Sequence, residues 1–180
     1  ERKNSNAAGT DSSNWQTFSG STGSASAAGS NLINGTPKAQ NSNPPSMPSP
    51  TPTPTPTTTP SPLPSPTPEP PPFTVVINEI AWMGTVANAA DEWIELYNTT
   101  PSPIDLSGWV LKSETDDSPN ITLSKTIDAF GYYLIERTDD DTIKDITADF
   151  KGSFGTGGLK NTGEKLVLKD GSGNIQDIVD

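Results

Sequence analysis

From Phe73 onward apolar and polar residues alternate in short runs, and before it they do not. The runs are Val75 to Met83, Glu92 to Asn98, Trp109 to Ser113, Ile121 to Leu123, Tyr132 to Arg137, Lys165 to Lys169 and Ile175 to Val179. They are rich in β-branched and aromatic residues and are about as long as ordinary strands. Turn formers stand between them: Pro101 with Pro103, Ser107-Gly108, Asp117-Ser118-Pro119, Phe130-Gly131, Gly155 to Gly158, Asn161 to Gly163 and the Asp170 to Asn174 stretch. No segment carries an apolar stripe of helical period. Short strands at this spacing predict an all-β sandwich.

Period two also assigns faces. In DEWIELYN, Ile94 and Leu96 point one way and are expected in the core, while Trp93, Glu95 and Tyr97 point the other. Ile80 and Trp82 share a face, as do Trp109 and Leu111. Leu134, expected at a half-buried position, alternates with Tyr133 and Ile135, and Leu166 and Leu168 alternate with Val167. Together they can fill one layer between two sheets in a domain large enough to fold without disulfides.

The preceding residues divide in two. Residues 1–43 are rich in Ser, Asn, Gly and Ala, with isolated Trp15, Phe18, Leu32 and Ile33. Such a segment does not bury enough apolar surface to offset its own ordering entropy, so it is expected to be mostly irregular. Residues 44–72 hold 15 prolines, mostly in Thr-Pro and Ser-Pro alternation. Proline fixes φ and biases its predecessor to extended backbone, which predicts a semi-rigid polyproline II linker. Fully extended, at about 3.1 Å per residue, it reaches roughly 90 Å. No basic residue flanks a Pro-x-x-Pro repeat to orient it in a signalling domain, and its hydroxyl-rich composition suits O-glycosylation.

Charge and missing residue types narrow the chemistry. The chain has no cysteine and no histidine, which removes disulfides, thiolate metal sites, the usual general base and the Ser-His and Cys-His nucleophile pairs. Its net charge is −11, and residues 73–180, with 19 acidic and 8 basic residues, carry a net −11 by themselves. An acidic module repels phosphate backbones, so no nucleic-acid partner is expected. The longest aliphatic run, Val75 to Ile77, is far short of a membrane span. The chain starts at Glu1 with neither methionine nor a leader-like segment and is read as cut at both ends, so a missing leader says nothing about secretion.

Three sets of residues invite a functional reading. Glu79, Glu92 and Glu95 offer carboxylates for acid–base catalysis, yet strand alternation sends Glu92 and Glu95 to opposite faces, which favours structural hydrogen bonding and no catalytic residues. Asp170, Asn174 and Asp177, and Asp139 to Asp141 with Asp145, supply oxygens of the kind calcium accepts, but neither set has the helical-loop spacing, and Asp-Gly and Gly-Asn are common turn residues. They remain weak calcium candidates, with no cofactor otherwise expected. Trp93, Glu95 and Tyr97 form a candidate ligand-binding face, where an exposed Trp/Tyr pair stacks on a sugar or on a partner's apolar patch. The alternatives are that this face is the true core or that a loop covers it. Asn-x-Thr triplets at Asn34, Asn98 and Asn120 are expected by chance in this composition.

INEIAWMGT, DEWIELYN, IDLSGWVL, YYLIERTDDD, LKNTGEKLVLKD and IQDIVD, in that order, resemble the lamin tail domain, and the INEIAWMGT opening resembles its bacterial branch. The resemblance covers residues 75–180 and implies an immunoglobulin-like β-sandwich. In bacterial members a sequence like IQDIVD is followed by a further strand, a Glu-Arg, an Asp-rich turn, a Trp and a Gly-x-Pro-x-x-x-Asn ending. Residues 1–41 are similar to that ending, with Glu1-Arg2, Asp11, Asn14-Trp15 and Gly35 to Asn41. The chain is therefore read as the end of one such module, the linker, and a second module over residues 73–180 that lacks its own ending. Residues 1–43 folding back across the linker would cover the edge so exposed. The implied function is a non-enzymatic binding or spacing module of a secreted or cell-surface bacterial protein, with a protein, a glycan or a tandem neighbour of the same family as partner. The other readings are a calcium-stabilised adhesive repeat and an accessory domain of a hydrolase acting on glycans or phosphates.

Overall fold

The computed structural model describes residues 1–3, 5–16, 38 and 73–180. The linker at 44–72 and most of residues 17–43 lie outside the described residues. Ten strands form along residues 73–180: β1 (Val75–Ala81), β2 (Trp93–Asn98), β3 (Ile104–Asp105), β4 (Val110–Ser113), β5 (Asn120–Thr122), β6 (Thr126–Ile127), β7 (Tyr132–Arg137), β8 (Phe150–Gly152), β9 (Leu166–Lys169) and β10 (Ile175–Val179). One sheet has the order β1-β2-β7-β8 and the other β10-β9-β4-β5, with β3 and β6 pairing as a separate ribbon.

The layer between the sheets holds the expected Ile94, Leu96, Trp109, Leu111, Leu166 and Leu168, but Tyr133 and Ile135 enter it where Leu134 was expected, and Leu134 packs on the outer side. Ile77, Ile94, Leu96, Tyr133 and Ile135 from the first sheet meet Trp109, Leu111, Ile121, Leu166, Leu168 and Val179 of the second sheet and its turns in one cluster, which Phe154 and Leu159 extend. Burial of these side chains is the main favourable term, at about 1.5–3 kcal/mol each for the larger aliphatics.

Two expectations change. The first strand stops at Ala81 rather than Met83, and Trp82 leaves the core face it was expected to share with Ile80 and stands 45% exposed. Leu134 is as fully buried as its neighbours Tyr133 and Ile135, so β7 is covered on both faces. The cause is β8, a strand too short and polar to register as an apolar run. It pairs with β7 in parallel, Ile135 opposite Phe150. A parallel pair needs a crossover of about a dozen residues. Residues 138–149 make it across the outer side of the first sheet, and Ile143, Ala148 and Ile146 pack there on Trp93 and Leu134.

Strands β1 and β10 are edge strands of their respective sheets and lie beside each other, leaving a seam. Asp177 of β10 bridges it by accepting the Ile77 N–H at 2.8 Å. Residues 1–16 sit on this seam. The Arg2 N–H donates to the Asn78 carbonyl at 2.9 Å, and its guanidinium donates to the Ile77 carbonyl at 3.1 Å and pairs with Asp177. Arg2 and Trp15 bridge each other, Trp15 packs on the core, and Asp11 caps a short 3-10 turn at Ser12–Asn14. Gly9 allows the approach, since a Cβ there would meet the Val179 Cγ1 at 2.6 Å.

Leu96→Ala leaves a cavity at the centre of this layer and is expected to lower unfolding free energy by about 2–5 kcal/mol. Tyr97→Ala, on the half-buried opposite face of β2, is expected to cost clearly less. Equal losses in urea titrations of the two variants would refute the assigned facing.

Candidate functional site

The outer face of the first sheet gathers two of the candidate carboxylates, Glu79 and Glu95. Strand register places Glu79 opposite Glu95, Glu95 opposite Leu134, and Trp93 opposite Glu136. Tyr97 and Tyr132 follow at the end of the row, their rings 4.9 Å apart and tilted by 34°. Alternation would leave this face wet, but the crossover and the N-terminal residues cover it. Trp93 is only 3% exposed and Glu95 is fully buried, which corrects the expected ligand face: Trp93, Glu95 and Tyr97 share a side of β2, but only Tyr97 keeps part of its surface.

Each buried carboxylate meets a different answer. Glu95 accepts from Asn78 Nδ2 at 2.7 Å and from the Lys38 backbone N–H, while Lys38 Nζ reaches the Thr147 carbonyl at 3.0 Å and Asp149 at 2.7 Å. Burial, reinforced by the facing Glu79, raises the Glu95 carboxyl well above the usual range. Glu136 lies under the crossover without a full hydrogen bond to either oxygen. Burial first, then Asp140, pushes it up to about 8 against the opposing pull of the Thr142 and Ile143 N–H groups.

Glu92 sits just before β2 and turns away from Glu95, as alternation requires. It accepts the Leu159 N–H at 2.8 Å and pairs with Arg137 at 3.1 Å. Burial raises its pKa despite both partners. Gly158 is essential to this arrangement: its φ is +66°, and a Cβ there would overlap both the Arg137 guanidinium and the Glu92 carboxylate. Asn98 is likewise structural. Its amide donates to the Ser102 and Asp128 carbonyls, both at 2.8 Å, and its oxygen accepts from Thr100.

The calcium candidates do not converge. The Asp170 carboxylate accepts from the Ser172 and Asn174 N–H groups and from the Asn174 and Gln176 amides, all within the β9–β10 hairpin. Asp177 is at the seam with Arg2. Asp139 and Asp140 cap the Asp141 and Ala148 N–H groups of the crossover. Among the described residues no three or more acidic side chains come together as a metal would need.

The two facing sheets, the Trp-Ile-Glu-Leu-Tyr-Asn strand paired with both β1 and β7, and the buried Trp109 after Leu-Ser-Gly form the frame on which the resemblance rested. The Lamin Tail Domain family model matches residues 68–180. The chain belongs to the lamin tail domain family. No curated protein matches it. Lamin tail domains are immunoglobulin-like modules without catalytic machinery of their own, so the buried carboxylates of this lamin tail domain are read as parts of its frame.

One surface of the domain went unread in the sequence. The β1–β2 loop carries three of the most exposed large apolar side chains: Trp82 at 45%, Met83 at 72% and Val86 at 92%. The loop is held by its own bonds. Thr85 Oγ1 donates to Asp91 and accepts the Ala87 and Asn88 N–H groups, and the Thr85 N–H donates to the Asn88 carbonyl at 2.9 Å. Gly84, at φ +66°, lies against the Ala89 backbone. The available signal was the Trp-Met-Gly step, where alternation fails and a turn residue follows. Reading the strand through to Met83 obscured it. Among the described residues no helix is long and apolar enough to cross a membrane.

Two outcomes follow. Glu136, Glu95, Glu92 and Asp177 all bind a proton more tightly folded than unfolded. Their contribution is complete below the unfolded carboxylate range and is lost as pH rises through the folded values, about 8 for Glu136. The melting temperature is therefore expected to fall from pH 5 to pH 9, and Glu136→Gln to flatten that slope by gaining stability at the alkaline end; a slope unchanged in E136Q contradicts the assignment. Gly158→Ala is expected to cost about 3 kcal/mol or more by breaking the Glu92–Arg137 pair. Gly157→Ala, also at positive φ but with open space around it, is expected to cost about 1 kcal/mol. Urea denaturation of the two variants separates close approach from backbone strain.

Proposed function

We propose that this lamin tail domain is a non-enzymatic binding module of a larger secreted or cell-surface bacterial protein, and that the β1–β2 loop is its contact surface. The observation that carries the reading is a loop that displays Trp82, Met83 and Val86 while its backbone is fixed by Thr85, Asn88 and Asp91. A pre-ordered apolar loop loses little entropy when it is covered, which is what a binding surface requires. Trp and Met are enriched at protein contacts, and loop residues 82–90 carry no charge to steer a lipid or nucleic-acid partner, so a protein surface is the better fit than either. The Thr/Ser-Pro composition of residues 44–72 supports a spacer that holds the module away from its neighbours, and residues 1–43 are read as the end of a preceding lamin tail domain.

The test compares the unsubstituted chain with Trp82→Ser/Met83→Ser/Val86→Ser as immobilised baits for a bacterial envelope protein fraction. The expected result is at least one retained protein whose recovery drops about tenfold or more, which is 1.4 kcal/mol or more of binding, with the melting temperature unchanged. Equal recovery on both baits would remove the loop as the contact surface.

A further inference from the structure

The β1–β2 loop shares its end of the sandwich with the crossover that joins β7 to β8. Ile143, Ala148 and Ile146 of the crossover pack with Trp93 and Leu134, and Ala81, the residue before Trp82, packs against the same group. Where the loop finishes, the Arg137 N–H donates to the Glu92 carbonyl at 2.9 Å and the Asp139 N–H to the Arg137 carbonyl at 3.0 Å. The crossover thus begins beside one foot of the loop and packs against the other.

The two segments differ in charge. Residues 82–90 carry none, whereas residues 138–149 hold five aspartates and one lysine. Two of these acids serve the fold. Asp140 accepts the Ala148 N–H at 2.8 Å and faces Lys151 at 3.6 Å, and Asp149 accepts the Leu134 N–H at 2.9 Å and pairs with Lys38. Asp139, Asp141 and Asp145 are exposed, against the single exposed Lys144. Asp139 and Asp141 sit in one turn, held by the Asp141 N–H donating to Asp139 Oδ1 at 3.1 Å.

An apolar knob with a carboxylate flank selects among partners. An acidic surface brought against it is repelled, while a basic one is steered in and held in register. Trp82 adds to the same preference, because its exposed ring offers a face to an ammonium or guanidinium group. A segment that alternates apolar residues with lysine or arginine matches both halves of the surface.

We infer that the partner of this end of the domain is a basic, amphipathic protein segment, whose apolar side chains cover Met83 and Val86 while its cations meet Trp82 and the turn at Asp139 and Asp141. The inference rests on the β1–β2 loop being the contact surface and adds the chemistry of what meets it.

Two labelled synthetic peptides serve as probes of the full chain in fluorescence anisotropy: an amphipathic peptide of leucine and lysine, and its counterpart with glutamate in place of lysine. The glutamate peptide is expected to bind about tenfold or more weakly than the lysine peptide. Because the whole chain is acidic, two variants separate the flank from net charge. Asp139→Asn/Asp141→Asn removes two charges beside the loop, and Asp105→Asn/Asp128→Asn removes two exposed charges at the β3–β6 ribbon and the turn after it. The first is expected to weaken the lysine peptide about threefold or more, the second by clearly less, with melting temperatures unchanged. Equal effects of the two variants, equal affinity for the two peptides, or no binding of the lysine peptide would each overturn the basic partner. The layer beneath is read separately: if Trp82→Ser/Met83→Ser/Val86→Ser binds the lysine peptide as well as the native chain does, the loop is not the contact surface and both readings fall. If that variant loses binding while the two peptides bind the native chain alike, the loop stands and only the basic partner is lost.

Discussion

The fold depends on how an acid-rich chain places carboxylates where water cannot reach them. Glu92, Glu95, Glu136 and Asp177 are all buried, in a domain whose net charge is −11. Removing a carboxylate from water costs several kcal/mol unless it is paired, hydrogen-bonded or neutralised. The chain has two arginines, and each goes to one of these acids: Arg137 to Glu92 and Arg2 to Asp177. Glu95 is answered by Asn78 and by Lys38, and Glu136 by a raised proton affinity. The two arginine pairs secure different places. Arg137 and Glu92 tie the entry of β2 to the end of β7 and, through the Leu159 N–H, to the long β8–β9 connection, while Arg2 and Asp177 tie the two sheets at their open edge.

These charge contacts also explain why the first sheet is covered on both sides. Its inner face is the ordinary apolar layer of a sandwich. Its outer face holds Glu79 and Glu95 opposite one another at one end and Trp93 opposite Glu136 at the other, beside Leu134. The parallel β7–β8 pair supplies the lid over the apolar end, since its crossover has to pass somewhere and Ile143 and Ala148 find Trp93 and Leu134 there. The N-terminal residues and Lys38 supply the lid over the charged end. The β1–β2 loop stays exposed and apolar outside both lids, and it is held by Thr85 and Asp91.

How much of this was legible in the chain depends on whether a feature is local. β2, β7, β9 and β10 stand at or within one residue of where alternation placed them, because period two is written in consecutive residues and survives in any sheet. β3, β6 and β8 were not legible, since each is two or three residues long and owes its extended backbone to a partner far away in sequence. Trp93 shows the same divide. Its facing opposite Ile94 was correct, but its exposure was not, because exposure depends on residues 138–149, which carry no sign in their own sequence of where they will lie.

The amino-acid sequence by itself determined the all-β class, most of the inner layer of the sandwich, the lamin tail domain family, and an acidic chain without cysteine or histidine chemistry. All of these follow from residue type and short-range order. Only the tertiary structure decided that Glu95 and Trp93 are buried, that Asp177 answers Arg2 across 175 residues instead of joining Asp170 and Asn174, and that Trp82 and Met83 face outward. The physical reason is that solvation and charge pairing belong to places in space. A carboxylate reads the same in the chain whether it ends in water, beside calcium or against an arginine, and only the packing of distant segments selects among them.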